Sequence, residues 1–172
     1  MIDKSKIEWT DFTWNPWYGC HKVSAGCKNC YMFRDSIRYN KDRDPNVVMR
    51  GKTTMDKPLK IKKPSMIFTC SWSDFFIEEA DEWRSEAWEI IKQTPHHTYQ
   101  ILTKRPLRVA DNIPADGIPK NVWLGVSVEQ AAYFDRIEQL KRMTANIRFI
   151  SYEPLINWGF DYLDEPPVPS LW

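Results

Sequence analysis

Three of the four cysteines lie close together near the start of the chain. Cys20, Cys27 and Cys30 form a Cys-x6-Cys-x2-Cys pattern in the stretch GCHKVSAGCKNCY, whereas Cys70 stands alone after an apolar run. In a chain without signs of secretion, clustered cysteines are more often metal ligands or redox groups than disulfides. We therefore predict that the three clustered thiols bind a metal centre and that Cys70 is a buried core residue.

The number of thiols restricts the kind of metal centre. A structural zinc site is closed by four protein ligands, but the nearest fourth candidate, His21, is adjacent to Cys20, which makes joint ligation of one ion awkward. Three thiolates without a fourth ligand suit a [4Fe–4S] cluster with one open iron, to which a small molecule can coordinate. Gly19 and Gly26 each precede a cysteine, so the loop could wrap closely around such a cluster. Isolated core thiols and a redox pair are the alternatives.

The composition restricts the class of protein. The 172 residues include 24 Lys+Arg and 23 Asp+Glu, and 42% of them are hydrophobic. These values are typical of one soluble globular domain and exclude disorder, collagen and a coiled coil. Because no apolar run is long enough for a membrane span and the N-terminus lacks an apolar signal core, we expect a cytoplasmic protein without membrane contact. The net charge of +1 gives nucleic-acid binding no support.

Strands and helices alternate along the part of the chain that must position the cysteines. Apolar and amphipathic patterns predict strands at residues 7–14, 65–71, 98–103, 122–128 and 147–151, and helices at residues 30–39, 78–93, 107–112 and 131–143. This alternation favours parallel pairing, so we predict an α/β fold, either a partial (β/α) barrel of about five parallel strands or an open sheet. Residues 1–156 would form this single domain, with a polar loop at 41–63 and a Pro- and aromatic-rich tail at 157–172.

Polar residues follow every predicted strand. Ligand sites in parallel α/β folds lie at the carboxyl ends of the strands, so we predict a site formed by the residues at these ends. In strand order they are Cys20; Ser71, Ser73 and Asp74; Thr103, Lys104 and Arg105; Ser127 and Glu129; and Ser151, Tyr152 and Glu153. A single residue such as Ser73 could instead cap a helix, but together they favour a binding site.

Several segments resemble a phage- and plasmid-borne branch of the radical S-adenosylmethionine (SAM) superfamily. They are TWNPWYGC, the cysteine pattern, SWSDFF, LTKRP, LGVSVE and SYEPL, and the resemblance covers about residues 5–156. It implies a partial (β/α) barrel, Cys20, Cys27 and Cys30 as ligands of a [4Fe–4S] cluster, and SAM on the fourth iron. It also implies that the reduced cluster cleaves SAM to methionine and a 5′-deoxyadenosyl radical, which abstracts hydrogen from a substrate that the motifs do not identify.

The resemblance and the strand ends together suggest roles for individual residues. Contacts with SAM are expected from Ser71, Ser73, Ser127 and Glu129, and contacts with SAM or the substrate from Lys104, Arg105 and Glu153. An enzyme of this kind needs an electron donor such as flavodoxin or ferredoxin. The chain departs from the superfamily in two places, because its first two cysteines are three residues further apart than is common and Ser-Trp-Ser-Asp replaces the usual Gly-Gly-Glu after the second strand.

Two other functions are compatible with parts of the pattern. One is a non-catalytic binding protein that keeps a cluster or zinc as a structural element and acts on a host or phage partner. The other is a nucleic-acid-modifying or nucleic-acid-binding protein, in which exposed aromatic residues stack on bases. The phosphate contacts would then come from Lys52, Lys57, Lys60, Lys62 and Lys63.

Overall fold

The computed structural model describes residues 4–39 and 43–156, and the predicted tail at 157–172 lies outside the described residues. The strands are β1 (Phe12–Trp14), β2 (Trp17–Tyr18), β3 (Met49–Arg50), β4 (Met66–Thr69), β5 (Thr98–Thr103), β6 (Val122–Ser127) and β7 (Ile147–Ser151). The helices are α1 (Tyr31–Tyr39), α2 (Asp81–Gln93) and α3 (Asp135–Lys141). No helix in the described ranges is both long and apolar enough to cross a membrane.

Five strands form one parallel sheet in the order β1-β4-β5-β6-β7. Each strand therefore adds to the same side of the sheet as the chain proceeds. The predicted α/β class and the five parallel strands are confirmed. Within the described part of the chain the sheet is open, because β1 and β7 are its two edges and do not pair with each other.

The core lies between the sheet and the helices that cross over between its strands. The central strands β5 and β6 are buried along most of their length, which explains their nearly continuous apolar sequences. From α2, Ala87, Ile90 and Ile91 share a buried face at helical spacing, and α3 contributes Ile137 and Leu140. Two short 3-10 turns, Glu78–Ala80 and Ala131–Tyr133, lead into α2 and α3.

Strand β1 is shorter than the predicted strand at residues 7–14. In the residues just before β1, side chains make part of the hydrogen bonding to β4 that backbone groups make within a sheet. The Thr10 hydroxyl lies 3.1 Å from the carbonyl oxygen of Met66, and the Met66 N–H donates to the Asp11 carboxylate at 2.9 Å. The predicted helix at 107–112 is also different, since it consists of two 3-10 turns, Pro106–Arg108 and Ala110–Asn112.

The polar loop predicted at residues 41–63 is confirmed in part. Most of residues 43–63 form turns and bends with exposed or half-buried side chains, but the segment also contains a short strand and a 3-10 turn, Lys57–Lys60; residues 41 and 42 lie outside the described residues. Strand β3 pairs antiparallel with β2, and Met55 and Ile61 are buried in the core. The indole N–H of Trp14 donates to the carbonyl oxygens of Thr54 at 2.9 Å and Met55 at 3.1 Å. A buried indole N–H needs hydrogen-bond acceptors, and because these two carbonyl oxygens supply them, the segment packs against the core. Its polar composition does not reveal this contact.

Candidate functional site

Asp74 joins the carboxyl ends of β4 and β5. It is buried, and its Oδ1 accepts hydrogen bonds from the Thr103 hydroxyl at 2.7 Å and the Phe76 N–H at 2.9 Å. Its Oδ2 accepts from the Lys104 N–H at 2.9 Å and lies 3.2 Å from the Arg105 guanidinium. Both oxygens are therefore used within the scaffold, and Asp74 fixes the turn that carries Lys104 and Arg105.

Arg105 extends from Asp74 to the cysteine loop, which is residues 20–30. Its Nη2 donates to the carbonyl oxygen of His21 at 3.0 Å, and its Nη1 lies 3.9 Å from the sulfur of Cys20. Burial and the Asp74 carboxylate raise the pKa of the Cys20 thiol to about 12, although Arg105 acts in the opposite direction. The thiol is therefore protonated near neutral pH, and a metal that binds it must displace the proton.

Glu129 joins the end of β6 to three other parts of the molecule. Its side chain has no exposed area. Its Oε1 accepts hydrogen bonds from the Ser24 hydroxyl at 2.6 Å and from the Lys104 ammonium, and its Oε2 accepts from the Arg136 guanidinium at 2.9 Å. Burial raises the pKa of Glu129, but the bonds from Lys104 and Ser24 and the nearby charges hold it below the ordinary value. Glu129 is thus a buried carboxylate that holds the cysteine loop.

The close approach of the cysteine loop to Glu129 requires glycine at position 26. A Cβ on Gly26 would lie 2.5 Å from Cγ and 2.6 Å from Oε1 of Glu129. The neighbouring Ala25 N–H donates to the Tyr133 hydroxyl at 3.2 Å, which adds a contact with the segment before α3. The sequence suggested that this glycine makes room for a cluster, whereas the structure uses the space for the Glu129 carboxylate.

The three clustered cysteines are free thiols in one loop on this edge of the sheet. Cys27 is buried, with its sulfur 3.5 Å from the Ser24 hydroxyl, and Cys20 and Cys30 are half-buried. In the described ranges, no group of three or more His, Cys, Asp or Glu side chains is arranged to hold a metal ion. The donor chemistry nevertheless suits an iron–sulfur cluster, because three free thiols share one short loop beside the cationic Arg105. Metal binding by these cysteines stays a prediction.

The candidates for a fourth ligand are engaged elsewhere. The His21 imidazole forms a hydrogen bond with the Glu79 carboxylate. Cys70 is 3% exposed, which confirms its prediction as a core residue, and its N–H donates to the Trp14 carbonyl oxygen at 2.8 Å. Its φ of 63° lets the chain turn sharply at the end of β4.

The predicted serines at the end of β4 support the loops around them. The Ser73 hydroxyl donates to the carbonyl oxygen of Gly19 at 2.6 Å, which lies next to Cys20. The Ser71 hydroxyl and the side-chain amide of Asn15 are within hydrogen-bond distance, at 3.1 Å. These contacts orient the turn after β4 against the cysteine loop.

The remaining predicted residues lie at the ends of β6 and β7. Ser127 is buried, and its carbonyl oxygen accepts a hydrogen bond from Arg136 at 2.7 Å. Ser151 and Tyr152 are half-buried, and Glu153 is exposed. Glu153 contributes to raising the pKa of Tyr31, after burial and Cys30, and the Tyr31 hydroxyl donates to the Ser71 carbonyl oxygen at 2.5 Å.

Sequence reasoning missed two residues of the Glu129 network. Arg136 is a charged residue on the buried face of α3, and its guanidinium lies 4.2 Å from the centre of the Tyr133 ring. A buried charge of this kind needs a partner, so its place in the amphipathic pattern of α3 was the available signal. No sequence signal indicated Ser24, since its partner Glu129 is 105 residues away in the sequence.

A family model described as a protein of unknown function, DUF5131, matches residues 4–161 of the chain. No curated protein and no solved structure matches it. The chemistry of the site must therefore be inferred from its geometry.

Proposed function

The chain belongs to the DUF5131 family, whose function is unknown. From the geometry of the site we propose that the protein is a cytoplasmic iron–sulfur protein of the radical SAM type. In this proposal Cys20, Cys27 and Cys30 hold a [4Fe–4S] cluster, and SAM occupies the open iron. When both are bound, the cluster and SAM supply the chemistry of the site, which is one-electron cleavage of the SAM sulfonium bond and hydrogen abstraction from a substrate. The electron would come from a donor such as flavodoxin or ferredoxin.

The observation that carries the proposal is the bond between Ser24 and Glu129. It attaches the cysteine loop to the carboxyl end of β6, and Lys104 from the end of β5 reaches the same carboxylate. Parallel α/β proteins bind their ligands at this edge of the sheet. A loop with three thiols therefore lies beside the charged groups best placed to bind a small molecule.

The proposal includes a partial (β/α) barrel. The strands follow the order of the chain, and each adds to the same side of the sheet. This is the arrangement from which (β/α) barrels are built. An incomplete barrel would leave its carboxyl edge accessible to a substrate on the open side.

The surroundings of Glu129 refine its role within the proposal. Each of its oxygens already accepts a hydrogen bond from a basic residue, Lys104 or Arg136. We therefore assign Glu129 to positioning the cysteine loop rather than to direct contact with SAM. The Lys104 side chain is 20% exposed, so its ammonium group is the member of this network that can also reach the carboxylate of SAM.

Other residues would stabilise the cluster and bind the ligands. Arg105 lies beside the sulfur of Cys20, and a cation in this position stabilises a thiolate. SAM contacts from Ser71, Ser73 and Ser127 remain part of the proposal. Glu153, which is exposed at the end of the described chain, is proposed to contact the substrate.

Within residues 4–39 and 43–156, the engagement of His21 and Cys70 in other contacts favours an open iron over a closed zinc site. His21 is bonded to Glu79, and Cys70 lies in the core. A structural zinc site would need one of them, or another donor, to complete its four ligands. An open iron requires no further protein ligand.

Anaerobic iron–sulfur reconstitution tests the proposal. We expect about four iron and four sulfide per chain in the wild type. Cys27→Ala should lose the cluster, whereas the matched control Cys70→Ala should retain it, because Cys70 is not a proposed ligand. Circular dichroism would verify that both variants are folded. Uptake of zinc without iron, or equal iron loss in both folded variants, would contradict the proposal.

A further inference from the structure

A separate cavity of about 280 Å³ lies beside the cysteine loop. Its volume is close to the lower end of the range for small-molecule pockets, about 300 Å³. The lining includes Gly19, which directly precedes Cys20, and Met32, which follows Cys30 by two residues. The pocket therefore adjoins both ends of the loop, but none of its lining residues is a cysteine or belongs to the Glu129 network.

Flat and polarizable groups form much of the lining. Two aromatic rings, Tyr18 and Trp72, line the pocket together with the thioether of Met32, which is 3% exposed. Aromatic side chains of this kind stack on nucleobases irrespective of the base, since every base has a π-face. Such a lining therefore favours a planar heterocycle.

Arg43 is the one basic residue among the described residues that line the pocket. Arg43 lies over the Tyr18 ring, with the guanidinium carbon 5.7 Å from the ring centre, and none of the lining residues that the structure describes is acidic. Arg43 forms no ion pair within residues 4–39 and 43–156. The guanidinium places a positive charge at the pocket, and its geometry matches that of a phosphate.

Three further polar groups of the lining lack partners among the described residues. They are the Tyr18 hydroxyl, the Trp72 indole N–H and the hydroxyl of Ser36, which is 3% exposed. By contrast, the more deeply buried indole of Trp17 donates to the Asp74 carbonyl oxygen at 3.1 Å. Unpaired donors beside aromatic rings can bind the edge of a base or the sugar hydroxyls.

The backbone around the two rings is held in place before any ligand binds. The Gly19 N–H donates to the carbonyl oxygen of Trp72 at 3.1 Å, and the Ser73 hydroxyl donates to the carbonyl oxygen of Gly19 at 2.6 Å. Gly19 has a φ of +91°, and a Cβ there would lie 2.3 Å from the carbonyl oxygen of Val47. The segments that carry Tyr18 and Trp72 are thus fixed to each other, which lowers the entropic cost of binding.

We propose that this pocket binds a mononucleotide. The base contacts Tyr18 and Trp72, and the phosphate binds Arg43. The site does not require the proposed cluster, because none of the cysteines belongs to the part of its lining that the structure describes. In the intact protein it would hold a nucleotide next to the cysteine loop.

Isothermal titration with AMP, GMP, CMP, UMP and adenosine tests this inference. The wild type should bind the nucleotides, and AMP more tightly than adenosine, because only AMP has a phosphate for Arg43. Trp72→Ala should weaken AMP binding at least about fivefold, as expected for the loss of one stacking contact. Arg43→Gln should abolish the preference for AMP over adenosine. Trp9→Ala and Arg142→Gln, exposed residues outside the pocket, should leave both affinities unchanged.

The same titrations on Cys27→Ala separate this inference from the proposed function. That variant cannot load the proposed cluster but should bind AMP like the wild type. Failure of the wild type to bind any of the four nucleotides would overturn the nucleotide site. So would AMP binding that is unchanged in both Trp72→Ala and Arg43→Gln. A lack of iron in samples that bind AMP would count against the cluster alone.

Discussion

Asp74 and Glu129 are two buried carboxylates that follow β4 and β6, the strands on either side of β5. They hold different parts of the molecule. Asp74 is bonded to Thr103, Lys104 and Arg105, all of which belong to the end of β5 or the turn after it. Glu129 is bonded to Ser24 in the cysteine loop as well as to Lys104. One carboxylate therefore fixes the scaffold, and the other fixes the loop that carries the thiols to that scaffold.

The difference separates stability from function at one edge of the sheet. Loss of Asp74 removes contacts between two sheet strands, whereas loss of Glu129 releases a loop that lies outside the sheet and leaves Arg136 of α3 without its carboxylate partner. Lys104 connects the two networks, since its backbone N–H bonds Asp74 and its side chain bonds Glu129. The position of the cysteine loop consequently depends on both carboxylates, but the fold depends mainly on Asp74.

The largest expected effect is that of Asp74→Ala. It leaves the buried Thr103 hydroxyl without its acceptor and the half-buried Arg105 guanidinium without its carboxylate partner. We therefore expect the free energy of unfolding to fall by about 3–5 kcal/mol. Urea denaturation measures the change. The control is Asp116→Ala, which removes the exposed pair of Asp116 with Lys92 and should change the free energy of unfolding far less, because exposed ion pairs contribute little. Similar losses in the two variants would refute the scaffold role of Asp74.

Glu129→Gln should have a smaller effect on stability and a larger one on the loop. The amide keeps the shape but loses the charge that Lys104 and Arg136 face, so we expect a loss of about 1–3 kcal/mol in the free energy of unfolding. Thiol labelling under native conditions, resolved by mass spectrometry, should be faster at Cys27 and unchanged at the core residue Cys70. Unchanged labelling at Cys27 would show that Glu129 does not hold the loop.

The pH dependence of stability distinguishes the ionised form of Glu129 from a neutral one. Its pKa in the folded protein is held below the ordinary 4.5, so its stabilising contribution is present above pH 4.5 and is lost as the pH falls through the folded pKa. Between about pH 5 and pH 3, Glu129→Gln should lower the slope of unfolding free energy against pH by up to about 1.4 kcal/mol per pH unit. Urea denaturation of both proteins across this range measures it, and parallel slopes would contradict the assignment.

Ser24→Ala should have the smallest effect on overall stability. It removes one hydrogen bond from a half-buried loop, so we expect a loss of about 1 kcal/mol or less in the free energy of unfolding. Native labelling at Cys27 should still become faster, because Ser24 connects the cysteine loop directly to Glu129. If labelling changes in Glu129→Gln but not in Ser24→Ala, another contact, such as that of Ala25 with Tyr133, holds the loop.

The sheet was predictable because its signals are local. The strand predictions at 98–103 and 147–151 match β5 and β7, since short apolar runs bounded by polar residues determine both. In the segment at 41–63 only the buried side chains were missed, because they are few and, like Met55, are surrounded by polar residues. Its fold depends on contacts with Trp14, which lies 40 residues before Thr54.

The site was predictable only in part. Strand-end geometry indicated Asp74, Lys104 and Glu129, because parallel strands bring their carboxyl ends to one edge. It could not indicate which of these residues pair with each other. The bond from Ser24 to Glu129 depends on the path of the cysteine loop and on the missing Cβ of Gly26, neither of which a local pattern encodes.

The most direct test of the central claim is the EPR spectrum of the anaerobically reconstituted and reduced protein, recorded with and without SAM. We expect the signal of a reduced [4Fe–4S] cluster that changes when SAM is added, because SAM would coordinate the iron that Cys20, Cys27 and Cys30 leave open. Glu129→Gln should weaken this response, since its cysteine loop is less firmly held. A cluster signal that SAM does not alter, or no cluster signal at all, would contradict the claim that these three cysteines form a SAM-binding iron–sulfur site.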